Sequence, residues 1–169
     1  NALAGVSGYG TNEVRSELDP LRIGIQLGAE VARVALAEGI TLQKVLELPA
    51  ESIIDAAEGR NIEEVEAAFI EAGKKGGAGG VPSFGQDVRK GRRNEIDYLN
   101  GYVSDLGKKL GVPTPFNDKI VEIVHDLGID FKGEVKNIAK PNCKAEADGG
   151  GGREFNRRAL QRGRFRRPR

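Results

Sequence analysis

The sequence predicts an all-α fold, on the basis of its length, its helical punctuation and its lack of strand signals. The chain has 169 residues, which is enough for one domain with a hydrophobic core. Apolar residues recur at helical spacing between recognisable start and stop signals. No segment alternates apolar and polar residues as a half-buried strand does, and no internal repeat occurs. A single multi-helix domain is therefore expected.

The first half of the chain contains clear helix boundaries. Asp19 and Pro20 combine a capping acid with a proline at the first helical position, and Gly39 marks the end of that helix. Shorter helices are predicted over three further segments: 42–48, 50–58 and 62–72. The glycine-rich stretch 73–80 is predicted to be a loop, and it lacks the Gly-Lys-Ser/Thr ending of a phosphate-binding loop.

The second half predicts one long helix over 83–110, ended by the segment 111–115 with its two prolines. A last helix is predicted over 117–127, with Asn117 as its N-cap and Gly128 at its end. Residues 1–130 are thus expected to form the helical domain.

The C-terminal extension differs in composition from the domain. Residues 153–169 contain eight arginines and one acid, which gives +7 and leaves 1 − 7 = −6 for the rest of the chain. Four glycines, 149–152, precede this basic tail. We expect 131–169 to be a disordered extension that is rich in glycine and arginine from about 149.

Glu95 has an unusual position on the predicted long helix. At 100° per residue, Val88, Tyr102 and Leu106 all lie within about 20° of it, so its carboxylate falls inside the apolar stripe. Burying an unpaired carboxylate costs several kcal/mol. Glu95 is therefore expected either to pair with a cation, for example Arg92, or to face a cleft in which it takes part in chemistry.

Ser83 allows two interpretations as well. Ser83 and Gln86 have the spacing of a capping box, with the serine as N-cap. Capping alone would explain this pattern. A helix N-terminus also presents free N–H groups to a carboxylate ligand, so a binding role stays open.

Two segments resemble the signature of the ketopantoate reductase family. Residues 83–101 read SFGQDVRKGRRNEIDYLNG, and residues 111–117 read GVPTPFN. The family pattern is approximately S-x-x-Q-D-x-x-K-G-R-x-x-E-I-D-Y-x-N-G, followed by G-V-P-T-P-x-N. A weaker similarity covers residues 1–39, so that the resemblance extends over about residues 1–127.

The resemblance implies a fold and an activity. Family members reduce 2-dehydropantoate to pantoate with NADPH, in pantothenate biosynthesis. The cofactor lies on an N-terminal Rossmann domain, and the substrate lies between it and a helical domain like that of 6-phosphogluconate dehydrogenase. In this sequence the resemblance assigns Glu95 a catalytic role, and Ser83 and Asn1 roles in substrate binding. It implies no cofactor-binding or metal-binding residue in the chain.

The resemblance also implies that essential parts precede Asn1. The general acid of the family is a lysine upstream of the position that matches Asn1, and no dinucleotide fingerprint occurs in the chain. The Rossmann domain and the lysine are therefore expected to be missing, and the chain alone is expected to be inactive. Ser83 and Glu95 would lie about 18 Å apart on a continuous helix, so a break near Gly91 or Gly85 is expected.

Other residues carry weaker expectations. His125 is interpreted as a surface residue near a helix C-terminus. Asp97 and Asn100 are expected in polar packing or subunit contacts, and Tyr98 and Tyr102 in the core or a cleft wall. Cys143 is the single cysteine, so no internal disulfide can form, which fits a cytoplasmic location. No membrane span is expected, because no apolar window approaches about 20 residues.

One rival function comes from the tail. The segment 162–167, RGRFRR, resembles sequences that bind RNA or other polyanions without sequence preference. That hypothesis makes the protein a non-catalytic helical module with a polyanion-binding tail. The acidic body and the lack of a nucleic-acid-binding fold make a nucleic-acid partner the weaker expectation. The expected partners are a small 2-oxo acid, the missing Rossmann domain and, as an open alternative, a second copy in a homodimer.

Overall fold

The computed structural model describes residues 1–75, 80 and 82–127. The predicted tail, with Cys143 and the RGRFRR segment, lies outside the described residues. Those that are described form eight α-helices and one 3₁₀ turn, and none belongs to a β-strand, so the all-α prediction is confirmed. The elements are α1 (Ala2–Ser7), α2 (Thr11–Ser16), α3 (Leu18–Ala37), α4 (Ala50–Ala57), α5 (Ile62–Lys75), α6 (Ser83–Arg89), the 3₁₀ turn (Ile96–Tyr98), α7 (Asn100–Leu110) and α8 (Pro115–Asp126).

The longest helix, α3, lies between two apolar clusters. On one side its buried Leu21 and Ile25 pack against α4 and α5. On the other side its Ile23 and Leu27 contact a cluster formed by α1, α6, the 3₁₀ turn and α8. The buried members of this second cluster are Ala2, Leu3, Val6, Phe84, Val88, Ile96, Ile120, Ile123 and Val124. Fully burying a large apolar side chain contributes about 1.5–3 kcal/mol, so this cluster holds the elements of the predicted site together.

The segment 42–48 is not helical, so that prediction is wrong. Val45 and Leu48 instead exchange two backbone hydrogen bonds, of 2.8 and 3.0 Å, across a tight turn. The two residues between them, Leu46 and Glu47, have φ of 51° and 64°, as a type I′ turn requires. An isolated helix of seven residues is marginal without packing. Val45 and Leu46 are exposed, and Leu48 packs against the cluster of α3, α4 and α5 from the end of the turn.

The predicted long helix 83–110 is broken into three pieces. Helix α6 ends at Arg89, and Gly91 adopts a left-handed φ of 60° that turns the chain away from the helix axis. The Asn94 side chain then accepts a hydrogen bond from the Ile96 N–H, at 3.0 Å, and prepares the 3₁₀ turn. The break therefore falls at Gly91, one of the two positions expected, while Gly85 stays inside α6.

Helix α8 begins at Pro115 and not at Asn117, because Thr114 occupies the N-cap and the proline fits the first turn. Asn117 is completely buried. The carboxylate of Glu30, on α3, is only 2% exposed and accepts three hydrogen bonds from the start of α8. They come from the Phe116 N–H, the Asn117 N–H and the Asn117 side-chain amide, each at 2.8 Å. This carboxylate thus joins α3 to α8.

Asn117 extends the connection to a third helix. Its Oδ1 accepts a hydrogen bond of 2.8 Å from the Asn100 side chain at the start of α7. Its Nδ2 also donates to the Leu27 carbonyl oxygen at 3.3 Å. Glu30, Asn117 and Asn100 form a continuous polar network, which we call the Glu30 network, and which ties the first residue of α7 to the middle of the domain.

Helices α1 and α6 approach closely at Gly5, and this contact yields a first prediction. A Cβ at this position would lie 2.5 Å from Cδ1 of Phe84, which is buried and cannot move aside. We expect Gly5→Ala to lower the free energy of unfolding of the chain by about 1–3 kcal/mol through overpacking. Gly24→Ala is the control, because its Cβ would meet only Leu3 Cδ2, at 3.8 Å. The control should be neutral or stabilising by up to about 1 kcal/mol in chemical denaturation. Equal stabilities would contradict the close packing.

A second prediction concerns the pH dependence that Glu30 confers. Burial raises the pKa of the Glu30 carboxyl above its ordinary 4.5, and nearby Asp118 adds to this, whereas the Phe116 and Asn117 donors oppose it. The folded chain then binds this proton more tightly than the unfolded chain does. The contribution of Glu30 to the free energy of unfolding should therefore fall as pH rises from 4.5 through the folded pKa.

The measurement is a ¹³C NMR titration of the Glu30 side chain, combined with denaturation of wild type and Glu30→Gln across this pH range. Because glutamine does not titrate, the stability advantage of wild type should be largest below pH 4.5 and should shrink above it. A titration midpoint at or below 4.5 would show that the hydrogen bonds outweigh burial.

Candidate functional site

Glu95 lies in the bend between α6 and the 3₁₀ turn, and it is half-buried. The residues around it fix its backbone. Its carbonyl oxygen accepts hydrogen bonds from the N–H groups of Tyr98 and Leu99, at 3.0 and 3.1 Å, and Ile96 inserts completely into the core. The Glu95 side chain is therefore presented on a short, well-anchored turn.

This location overturns the helical geometry expected for Glu95. With the helix broken at Gly91, no continuous apolar stripe runs through positions 88, 95 and 102. Among the described residues, no ion pair joins Glu95 to Arg92, so the structural salt bridge with Arg92 is not found either. The carboxylate is held by its turn and not by a partner cation of this kind.

Asn1 lies in the same region of the domain as Glu95. The residue precedes α1 and is exposed. Ala2, which follows Asn1, and Ile96, which follows Glu95, belong to the same buried apolar cluster. The fold therefore brings together the chain segments that carry these two predicted site residues, which are 94 positions apart in sequence.

Ser83 is the first residue of α6, and the predicted capping box is wrong. Pro82 occupies the N-cap position, and its carbonyl oxygen accepts the Gln86 N–H at 3.0 Å. Because Ser83 already has helical geometry, its hydroxyl is exposed and makes no capping hydrogen bond. Ser83 and Asn1 begin two helices that pack together at Gly5, but no hydrogen bond among the described residues joins Ser83 to Asn1 or Glu95.

Two tyrosines follow Glu95 and lie on the surface. Tyr98 is 73% exposed and Tyr102 is 61% exposed, so their prediction as core residues is wrong. The 3₁₀ turn is the cause, because it directs Ile96 into the core and leaves the tyrosines outside. With the exposed Leu99 they form an apolar surface beside Glu95, so the alternative prediction of a cleft wall stays a prediction.

Asp97 and Asn100 take part in polar packing, as expected from the sequence. His125 Nε2 and Asp97 Oδ1 are 2.8 Å apart, which joins the last turn of α8 to the 3₁₀ turn. Asn100 holds Asn117 at the other end of α8. His125 is a surface residue, as predicted, and its contact is with a carboxylate on a neighbouring element.

A cavity of about 180 Å³ lies elsewhere in the domain, between α3, α4 and the start of α8. It contains none of the predicted site residues, and its polar side chains are already paired. Arg22 forms an ion pair of 2.6 Å with Glu66, and Gln26 donates to the Ala57 carbonyl oxygen at 2.8 Å. With these groups engaged in holding helices together, the open surface around Asn1 and Glu95 is the better candidate site.

Three other features are absent from the described part of the chain: a cluster of metal-ligating side chains, a helix able to span a membrane and a dinucleotide-binding arrangement. No three or more His, Cys, Asp or Glu side chains are arranged there to hold a metal ion. Of the helices described, none is both long and apolar enough to cross a membrane. No strand followed by a glycine-rich turn and a helix, the arrangement of dinucleotide-binding folds, is present among these residues.

Sequence reasoning missed Glu30 and the role of Asn117. The available signal was weak: Glu30 is an acid inside an otherwise apolar stretch, Gly28–Ala32. Its donors lie 86 and 87 residues later in the chain, and no local pattern reveals such a pairing.

Comparison with known proteins identifies the domain. The family model described as "Ketopantoate reductase PanE/ApbA C terminal" matches residues 1–128. A 2-dehydropantoate 2-reductase of Streptococcus pyogenes serotype M1 is 41% identical over 76 residues, which are 43% of this chain and 24% of that protein. Proteins of the same name from Lactococcus lactis and Aquifex aeolicus are each 51% identical, over 45 and 43 residues. Those matches cover 26% and 25% of this chain, and 14% of each relative.

The chain thus spans about a quarter of the length of the streptococcal relative that it matches. The family model, in contrast, covers well over half of the chain and includes every predicted site residue. The chain belongs to the ketopantoate reductase family, as its C-terminal helical domain.

Proposed function

We propose that this domain supplies catalytic and substrate-binding side chains for the NADPH-dependent reduction of 2-dehydropantoate to pantoate, a step of pantothenate biosynthesis in the cytoplasm. The names of the relatives support this reaction. The observation that carries the proposal is that the fold brings the segments of Asn1 and Glu95 together, because their chain neighbours Ala2 and Ile96 share one buried cluster. NADPH would bind outside the described residues and would supply the hydride.

The proposed chemistry assigns one role to each side chain. Hydride addition to the ketone carbon moves an electron pair onto the carbonyl oxygen, which then takes a proton to become the product hydroxyl. The proton would come from the ammonium group of a lysine that precedes Asn1 in the parent protein. Glu95 would hold that ammonium group in place and keep it charged, because a neighbouring carboxylate raises the pKa of a lysine.

Substrate binding would fall to the other two residues. The Ser83 hydroxyl is exposed and free of any capping bond, so it can donate to the substrate carboxylate. Asn1 precedes α1 and is exposed, so its side-chain amide can bind a substrate oxygen. The exposed surface of Tyr98 and Tyr102 would form part of the cleft wall opposite the cofactor domain.

Glu95→Gln tests the catalytic assignment in the full-length protein that contains this domain. We expect the fold to survive, because the Glu95 side chain makes no hydrogen bond in the described core. The value of kcat/KM for 2-dehydropantoate should fall about 10²-fold, or about 2.7 kcal/mol of transition-state stabilisation. The high-pH limb of kcat/KM should move to lower pH, because the lysine loses the carboxylate that raises its pKa. A loss of stability with normal activity per folded molecule would make Glu95 purely structural.

Ser83→Asp tests substrate binding. Ser83 lies in the first turn of α6, where aspartate interacts favourably with the helix dipole, so the protein should stay folded. The added negative charge would face the substrate carboxylate and repel it, so binding should weaken severely. Ser83→Ala is the milder comparison, which removes a hydrogen bond to a charged group and should raise KM by about tenfold or more. Isothermal titration with wild-type affinity in Ser83→Asp would remove Ser83 from the binding site.

A further inference from the structure

The donor and acceptor of each hydrogen bond in the Glu30 network are fixed. When Glu30 is ionised it only accepts hydrogen bonds, so the Asn117 side chain turns its Nδ2 toward it. The same Nδ2 also donates to the Leu27 carbonyl oxygen, which fixes the amide in this orientation. The Asn117 Oδ1 therefore faces α7 and requires a donor there, which Asn100 supplies at 2.8 Å.

The network ends beside the turn that carries Glu95. Asn100 is the first residue of α7, directly after the Tyr98–Leu99 peptide groups that donate to the Glu95 carbonyl oxygen. At Gly101, an added Cβ would lie 3.5 Å from the Ile96 carbonyl oxygen, so the 3₁₀ turn lies close to the start of α7. A displacement of Asn100 would therefore be passed to Glu95 over a few covalently and hydrogen-bonded atoms.

We propose that Glu30, Asn117 and Asn100 are positioning residues that hold the Glu95 carboxylate in its working geometry. The proposal rests on the proposed function of Glu95. It assigns a role to a carboxylate that is too deeply buried to touch substrate, and to two members of the sequence signature that the reaction itself does not use. A misplacement of a catalytic group by about 1 Å can cost about 10²-fold in rate, so small adjustments by this network are sufficient to matter.

Asn100→Asp in the full-length protein replaces the Asn100 amide, which donates to Asn117 Oδ1, by a carboxylate that can only accept. The substitution keeps the size of the side chain and places an acid in the first turn of a helix, where it is favourable. The introduced carboxylate would, however, face Asn117 Oδ1, so that two acceptors repel each other. We expect kcat to fall about tenfold or more with a smaller change in KM, as the turn moves. The high-pH limb of kcat/KM should move in the same direction as in Glu95→Gln. A residue that only stabilises the fold would leave that limb unchanged.

Two further variants complete the experiment. Asn61→Asp makes the same chemical change at an exposed position before α5, and it should leave both the rate and the pH profile unchanged. Glu30→Gln acts at the other end of the network. The NH2 group of the introduced glutamine would face one of the two backbone N–H donors at the start of α8, so this variant should also lower kcat.

The outcomes separate the two levels of the proposal. If Glu95→Gln has no effect on rate or pH profile, the proposed function of Glu95 fails. If Glu95→Gln shifts the profile but Asn100→Asp lowers only stability, the positioning role is wrong and the network is purely structural. A Glu30→Gln variant with the wild-type kcat would also contradict it. Should Asn100→Asp not fold, Asn100→Ala removes the donor without repulsion, and the same pH profile decides.

Discussion

The buried carboxylate of Glu30 is the constraint on which the arrangement of the second half of the domain depends. Desolvation makes it costly, so it must find donors, and the three N–H groups at the start of α8 supply them. Satisfying it fixes where α8 begins relative to α3. Asn117 then leaves an acceptor facing α7, and Asn100 satisfies that acceptor. One polar requirement thus orders three helices.

The signature of the family separates into two kinds of residue in the folded domain. Asn100 and Asn117 point inward and hold helices together. Ser83 and the half-buried Glu95 remain accessible at the start of a helix and on a turn. The two segments of the signature are joined by the Asn100–Asn117 hydrogen bond, and the first segment also carries the accessible residues of the proposed reaction. The structure thus distinguishes the signature residues that hold helices together from those that stay accessible.

The sequence predicted those features that depend on local chemistry. Proline and glycine marked the ends of α3, α4 and α8 to within a few residues, because these residue types restrict the backbone wherever they stand. The helix predicted over 42–48 was wrong, because a helix of seven residues needs tertiary packing and Val45 and Leu46 are exposed. Glu95 was selected for a reason that proved incorrect, namely its place on a continuous helix, and the resemblance supported it independently. Glu30 could not be found, because its burial is set by partners more than 80 residues away.

The break at Gly91 explains why distant contacts can govern this site. Inside a regular helix, the position of Glu95 would be fixed by the i to i−4 hydrogen bonds of its neighbours, and remote substitutions would hardly move it. On a short turn, its position follows from Asn94, from the burial of Ile96 and from the anchored start of α7. Each of these is a tertiary or side-chain contact that can be altered singly. The position of a carboxylate on such a turn therefore depends on the packing of α3 and α8. For this reason, the buried residues that support the turn belong to the proposed catalytic apparatus.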